Sequence, residues 1–377
     1  MYRGESFFPP VRTLLGPGPS DVAPRTLEAL ARPTVGHLDP SFTALMEQIK
    51  ILLRETFKTS NNLTFPVSGP GSAGMETCFV NLVEPDDEVL VCINGVFGKR
   101  MLENVERCRG IAHVLETPWG QAIDPQQVQE MLKKYPKTKI VAFVQAETST
   151  GVLSQAKDIT QVAHQAGALV IVDAVTSLGG VELLVDEWGL DAVYSGTQKC
   201  LSCIPGLSPV TFASSAVQKI KKRKSKVQSW FFDLNLVMDY WEKSDQGSRS
   251  YHHTAPVNSL YALHESLLIL KEEGLENSWQ RHRQNHLLLK TGLEKLGIEF
   301  LVAAQSRLPQ LNSIMIPQNV DDAQFRQELL TKFNIEIGGG LGALAKKIWR
   351  VGLMGHASNE KNVTYLLHAM QSLLSCR

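Results

Sequence analysis

The run "ALVIVDAVTS", residues 168–177, places five aliphatic residues in a row and ends them on Asp173. A short uninterrupted apolar run, preceded by Gly167, reads as a buried strand of the kind found in parallel sheets. A carboxylate at the end of such a strand is costly to bury unless a positive group meets it. Strand and acid together set the direction of everything that follows.

The same element recurs on both sides. "EVLVCI" (88–93), "KIVAFV" (139–144), "DAVYS" (191–195) and "PVTFA" (209–213) read as further buried strands, with helical patterns between them. Asp124-Pro125 opens "QQVQEMLKKY" as an N-cap followed by proline at the first helical position. "DITQVAHQAG" closes on Gly167, the place of a C-terminal glycine. This alternation, over about residues 60–215, predicts an α/β fold with a mainly parallel sheet covered on both faces. Ligands of such sheets lie at the carboxyl ends of the strands. After residue 256 the pattern changes to two long helices, strands "NSIMI" and "IWRVG", and a last helix from about Asn359. The expected organisation is an N-terminal arm over 1–15, a large domain over 16–272 and a smaller α+β domain over 273–377.

Bulk properties narrow the function. The chain has 377 residues, 43% of them apolar, enough for two lobes with sizeable cores. Lys+Arg and Asp+Glu are equal at 38 each, so no general field draws the protein to nucleic acid or an anionic membrane. Six cysteines (Cys78, Cys92, Cys108, Cys200, Cys203 and Cys376) are scattered, which suits a reducing compartment better than a disulfide framework. No apolar run is long enough to span a bilayer, and "MYRGESFFPPVR" lacks a secretory core. The expectation is a cytoplasmic enzyme or binding protein for small molecules.

"SGPGSAGME" (68–76) contains a literal GxGxxG string, the dinucleotide fingerprint. The fingerprint also needs an acid about 20 residues on, at the end of the second strand. Here the second strand ends at Asn94-Gly95 and its acids, Asp86, Asp87 and Glu88, stand at its start. A nucleotide-dependent oxidoreductase is therefore disfavoured. Close backbone approach and free N–H groups at a helix start remain, and these suit a phosphate monoester.

Other strand ends agree with that phosphate. Lys199 follows "DAVYS", where an apolar setting favours a depressed pKa and amine chemistry. "VAFVQAETSTG" brings Thr148 and Ser149 to the same rim, and "VLVCINGVFG" brings Phe97. An amine, a carboxylate, an aromatic plate and a phosphate cup are the set that pyridoxal 5′-phosphate requires.

At this point the motifs resemble those of a family. "LLGPGPS" (14–20), "NGVFGKR" (94–100), "ETSTGVL" (147–153), "VDAVTSLGG" (172–180), "YSGTQKCL" (194–201), "YHHTAPV" (251–257) and "WRVGLMG" (349–355) resemble class V aminotransferases, in particular the alanine–glyoxylate and serine–pyruvate group. The resemblance implies the fold type I of pyridoxal-phosphate enzymes. It makes Lys199 the Schiff-base lysine and proton carrier, and Asp173 the partner of the pyridine nitrogen. Phe97 stacks on the ring, Val175 lies on its other face and Thr148 near its hydroxyl. Pro70, Gly71, Ser72 and Gln198 take the phosphate positions. Tyr251 and Thr254 reach the phosphate of a neighbouring subunit, so the expected assembly is a homodimer with shared sites. Arg350 grips the carboxylate of the amino acid or 2-oxo acid, with Gly36 also at the substrate end. Two departures stand out: animal relatives carry tryptophan where this chain has Phe97, and Ser-Gly-His where it has Pro70-Gly71-Ser72. Proline removes one N–H donor.

The implied reaction moves an amino group from alanine or serine to glyoxylate or pyruvate. A wider pocket on the same frame would instead serve 3-hydroxykynurenine. A cysteine desulfurase would need a nucleophilic cysteine before Arg350, and "GGGLGALAKK" (338–347) has none. A non-catalytic relative would be free to lose the lysine–aspartate pair, which is intact. Cys200-x-x-Cys203 lacks a second pair for metal, "KKRKSK" (221–226) reads as a solvated helical face, and His252-His253 as packing or subunit-interface residues. No metal is expected.

Overall fold

A computed structural model describes residues 4, 6–241 and 249–375; Cys376 lies outside the described residues. Seven strands form the main sheet: β1 (Leu63–Ser68), β2 (Glu88–Ile93), β3 (Ile111–Glu116), β4 (Thr138–Val144), β5 (Leu169–Asp173), β6 (Ala192–Tyr194) and β7 (Leu207–Phe212). Their spatial order is β1-β7-β6-β5-β4-β2-β3. Strands β2 to β6 pair in parallel, while β7 is antiparallel to both β6 and β1. Pro66, which argues against a central strand, lies in β1 at the edge of the sheet, where a missing N–H is tolerated.

Two helices begin directly after strands and matter for the site. The helix α1 (Gly71–Leu82) follows β1, and α2 (Val96–Arg107) follows β2. Later, α3 (Val257–Glu273) and α4 (Leu275–Lys295) are separated only by Gly274, whose φ of +85° suits a residue without a Cβ. Three hydrophobic clusters form among the described residues, and the smallest, with Leu308, Leu311 and Met354 against Ala146, Val181 and Cys200, lies apart from two large ones. Of the large ones, one runs from Phe42 through Phe65, Val91, Phe143, Val172 and Phe212 to Leu270. The other gathers Leu15, Leu289, Ile314, Phe325, Trp349, Val363 and Met370. Around the second lies a three-stranded antiparallel sheet of β8 (Leu311–Met315), β9 (Gly338–Gly339) and β10 (Ile348–Gly352), in the order β8-β10-β9. Residues Thr13–Leu14 pair in parallel with Ile335–Glu336, and Leu15 packs into the second cluster.

The run 221–226 differs from its expected helical setting. Its helix, Ser214–Lys221, ends at the first residue of the run. Arg223 then donates to the carbonyls of Asn81 (2.9 Å) and Val83 (3.0 Å), satisfying orphan acceptors at the end of α1. Cys200 and Cys203 are buried free thiols, and among the described residues no cluster of three or more His, Cys, Asp or Glu could hold a metal. Among those residues no helix is long and apolar enough to cross a membrane.

Candidate active site

The carboxyl ends of β2, β4, β5 and β6 converge on one place. Asp173, the last residue of β5, is paired in register with Tyr194, the last of β6. Its Oδ1 accepts from the Val175 N–H at 2.8 Å and its Oδ2 from the Tyr194 hydroxyl at 2.8 Å. Among the described residues no cation hydrogen-bonds to it. Burial therefore dominates and pushes the acid up to about 7, with the charge of Glu147 adding to the rise. Lys199 lies on the loop after β6, 8% exposed. Burial, reinforced by the charge of Arg350, brings its amine down to about 8.

The lysine is enclosed by a segment from the far end of the chain. Its Nζ donates to the Pro17 carbonyl. The Ser20 hydroxyl donates to the Lys199 carbonyl at 2.8 Å, and the Ser20 N–H to that of Gln198 at 3.0 Å. Gly18, at φ +109°, leaves no space for a side chain: an added Cβ would come within 2.9 Å of Lys199 Cδ and Cε. Arg350 enters from β10 of the three-stranded sheet, buried, its Nε donating to the Gly339 carbonyl (2.8 Å) and its Nη1 to the Thr148 carbonyl (3.2 Å). Burial brings its guanidinium down to about 10, against the pull of Glu147. Its Nη2 has no hydrogen-bond partner among the described residues.

The residues expected to hold a cofactor stand around this centre. Pro70 is the N-cap of α1 and offers no side-chain cap. The N–H groups of Gly71 and Ser72 in its first turn have no partner among the described residues. Gly71 packs against this wall of the site, since a Cβ there would meet Val175 Cγ2 at 3.0 Å and the Ser195 carbonyl at 3.6 Å. Gln198 Oε1 is buried without a partner. Thr148 shares a hydrogen bond with the Thr176 hydroxyl, and Phe97 sits half-buried in the first turn of α2. Pyridoxal phosphate fits this set. The buried acid Asp173 could face a protonated ring nitrogen, and the open first turn of α1 could offer N–H donors to a phosphate even though Pro70 has none to offer.

Three further expected residues, Gly36, Tyr251 and Thr254, are exposed. Gly36 is exposed and has no heavy atom within 4 Å of where its Cβ would be. Tyr251 is 62% exposed, its hydroxyl 3.3 Å from that of Thr254, and its ring centroid is 5.3 Å from that of His37. Of the histidines beside them, His252 stacks on Trp230 (4.5 Å) and His253 bonds to the Ser68 hydroxyl (2.8 Å).

Two residues were missed in the sequence. Tyr194 holds Asp173, and Glu147, fully buried, accepts from Ser149 and from the start of α2. Each ends or follows an apolar run already read as a strand, and that was the available signal.

A buried amine and a buried acid on neighbouring strand ends of a mainly parallel sheet, beside an open helix start, define a pyridoxal-phosphate-dependent transferase of fold type I. The chain belongs to the class V aminotransferase family, whose model matches residues 25–366. It is 38% identical to (S)-ureidoglycine–glyoxylate transaminase of Bacillus subtilis, over 97% of this chain and 91% of that protein. It is also 38% identical to alanine–glyoxylate aminotransferase of Rattus norvegicus, over 97% and 88%. The crystal structure of alanine–glyoxylate aminotransferase from Nostoc sp. superposes with a TM-score of 0.96 at 43% identity, covering 99% of this chain and 98% of that one. The protein is accordingly a transaminase dependent on pyridoxal phosphate.

Proposed function

We propose that this transaminase moves an amino group from alanine or serine to glyoxylate or pyruvate, with Lys199 holding the cofactor and carrying the proton. The observation that carries the reading is Lys199 itself: an enclosed amine brought down to about 8, within the field of Asp173 and of Arg350. When bound, pyridoxal phosphate supplies a carbonyl for amines and a cationic ring that draws electrons from the substrate's α-carbon. Asp173 would keep a proton on the ring nitrogen. Gly71, Ser72 and Gln198 would hold the phosphate, Phe97 and Val175 would flank the ring, and Thr148 would lie near its hydroxyl. Arg350 grips the substrate carboxylate through its free Nη2 edge, which fixes the α-carbon before Lys199. Lys199, neutral above about pH 8, takes the α-proton as a general base and returns it as a general acid.

Glyoxylate is the acceptor named for all three relatives, which favours it here. The donors named differ, so (S)-ureidoglycine is the second reading for the donor. The exposed pair Tyr251 and Thr254 supports a homodimer in which each subunit completes its neighbour's phosphate site, with Gly36 beside them at the substrate end. Five buried free thiols among the described residues support a cytoplasmic setting.

Borohydride reduction should fix the yellow chromophore to Lys199, located by peptide mapping. Lys199→Ala should lower turnover about 10³-fold or more. Full turnover in that variant would end the mechanism. A panel of alanine, serine, (S)-ureidoglycine and 3-hydroxykynurenine against glyoxylate and pyruvate then ranks donors and acceptors.

A further inference from the structure

Glu147 is a buried acid that the reaction as described does not use. It follows β4, is fully buried, and among the described residues its carboxylate hydrogen-bonds only to uncharged donors. Its Oε1 accepts from the Ser149 N–H at 3.0 Å and from the Ser149 hydroxyl at 2.5 Å. Its Oε2 accepts from the Phe97 N–H at 3.3 Å, and the Gly98 N–H also bonds to the carboxylate. Ser149 extends the link, because its hydroxyl oxygen accepts from the Val96 N–H at 2.9 Å. The close approach is built in at Gly95: a Cβ there would overlap both the Glu147 carboxyl carbon and the Ser149 hydroxyl.

The donors are the first backbone N–H groups of α2, which have no intrahelical partner. A helix start usually finds these acceptors in its own cap, yet Gly95 offers none. Glu147 replaces that cap from a different strand. The replacement ties the turn bearing Phe97 to the loop bearing Thr148, whose carbonyl also receives Arg350. An apolar residue at 147 would leave these N–H groups buried and unsatisfied, each at a cost of about 1–3 kcal/mol.

We propose that Glu147 is a positioning residue: with Ser149 as its relay, it clamps the start of α2 so that Phe97 stands as a fixed plate over the cofactor ring. This rests on the reading that Phe97 stacks on that ring. The clamp acts through Phe97 and makes no contact with cofactor or substrate of its own.

The test is a double-mutant cycle on the binding of pyridoxal phosphate to the cofactor-free protein, read by titration and by the visible circular dichroism of the bound chromophore. Glu147→Gln keeps the shape but turns an amide N–H toward donors, and should weaken binding about tenfold while reducing the dichroism. Ser149→Ala removes the relay alone and should weaken it by about threefold. In a Phe97→Ala background, either substitution should add less than about twofold. Full additivity in that background, or undiminished affinity and dichroism in Glu147→Gln, overturns the clamp. Should Glu147→Gln fail to fold, Ser149→Ala in the two backgrounds decides by the same criterion. A native protein that binds no pyridoxal phosphate would instead overturn the proposed function, and the clamp with it.

Discussion

The two ends of the main sheet treat buried charge in opposite ways. At the amino ends, Asp87 precedes β2 and receives Lys139 at 2.5 Å and Lys219 at 2.9 Å. Burial alone would raise this acid, but the two lysines more than offset it and hold it below the usual carboxylate range. Asp191, before β6, is likewise closed by the Val170 N–H (2.9 Å), His164 (2.8 Å) and the Ser215 hydroxyl. At the carboxyl ends, Asp173 has two neutral donors and, among the described residues, no cation bonded to it, and rises to about 7. One end settles its charges within the protein, and that is structure. The other leaves an acid raised and an amine lowered, which is the state of groups that await a partner from outside.

The largest test of this contrast concerns Lys199 in the cofactor-free protein. Its folded pKa of about 8 lies below the ordinary 10.5, so the unfolded chain holds the extra proton between those values. Stability gained from this group thus rises with pH across that window, and below pH 8 its burial is a standing cost. Lys199→Met should therefore stabilise the cofactor-free protein by about 3 kcal/mol at pH 7, a gain that shrinks through pH 8 and vanishes above 10.5. Denaturant melts of both proteins at pH 7, 9 and 11 check it. An equal gain at every pH would mean that packing, not charge, is the cause.

The opposite end should respond with the opposite sign. Asp87→Ala strands two lysines and should destabilise by about 2 kcal/mol at pH 7. Because the Asp87 pKa is depressed, that difference belongs to the range above 3.8 and fades as pH falls through the folded value. Asp173→Asn should leave the cofactor-free protein no less stable at pH 8, since it removes a carboxylate that burial disfavours. If it cost as much as Asp87→Ala, the two ends of the sheet would be alike and the contrast would be lost.

How much of this was readable beforehand follows from the same geometry. The strand β2 was legible at its bounds because both faces are buried and the run is aliphatic. The strand β3 was not, since it is an edge whose Ile111 is 45% exposed and whose pattern alternates instead. Asp173 and Lys199 stood out as charges closing apolar runs, which local sequence displays. Tyr194 and Glu147 act through contacts across strands and loops: Tyr194 reaches Asp173 by the register of β5 and β6, and Glu147 reaches the start of α2. Pro17 meets Lys199 from 182 positions away. No local pattern encodes such meetings; they arise only once the strand order is fixed.

Tyr194 offers the smallest and most discriminating test. Its hydroxyl is one of two donors that favour the ionised form of Asp173, while burial and Glu147 oppose it. Binding of a cationic ring needs that ionised form, so cofactor affinity should weaken as pH falls below about 7. Tyr194→Phe removes a donor without changing the ring's packing, and Asp173 should then rise further. The midpoint of the affinity–pH curve should shift upward relative to the native protein, with roughly tenfold weaker binding at pH 6 and a smaller loss at pH 8. Comparing the two proteins in the same buffers cancels the ionisations of free pyridoxal phosphate. Parallel curves, displaced equally at all pH values, would show that the tyrosine supports the site only by filling space, and that the acid at the carboxyl end is poised by burial alone.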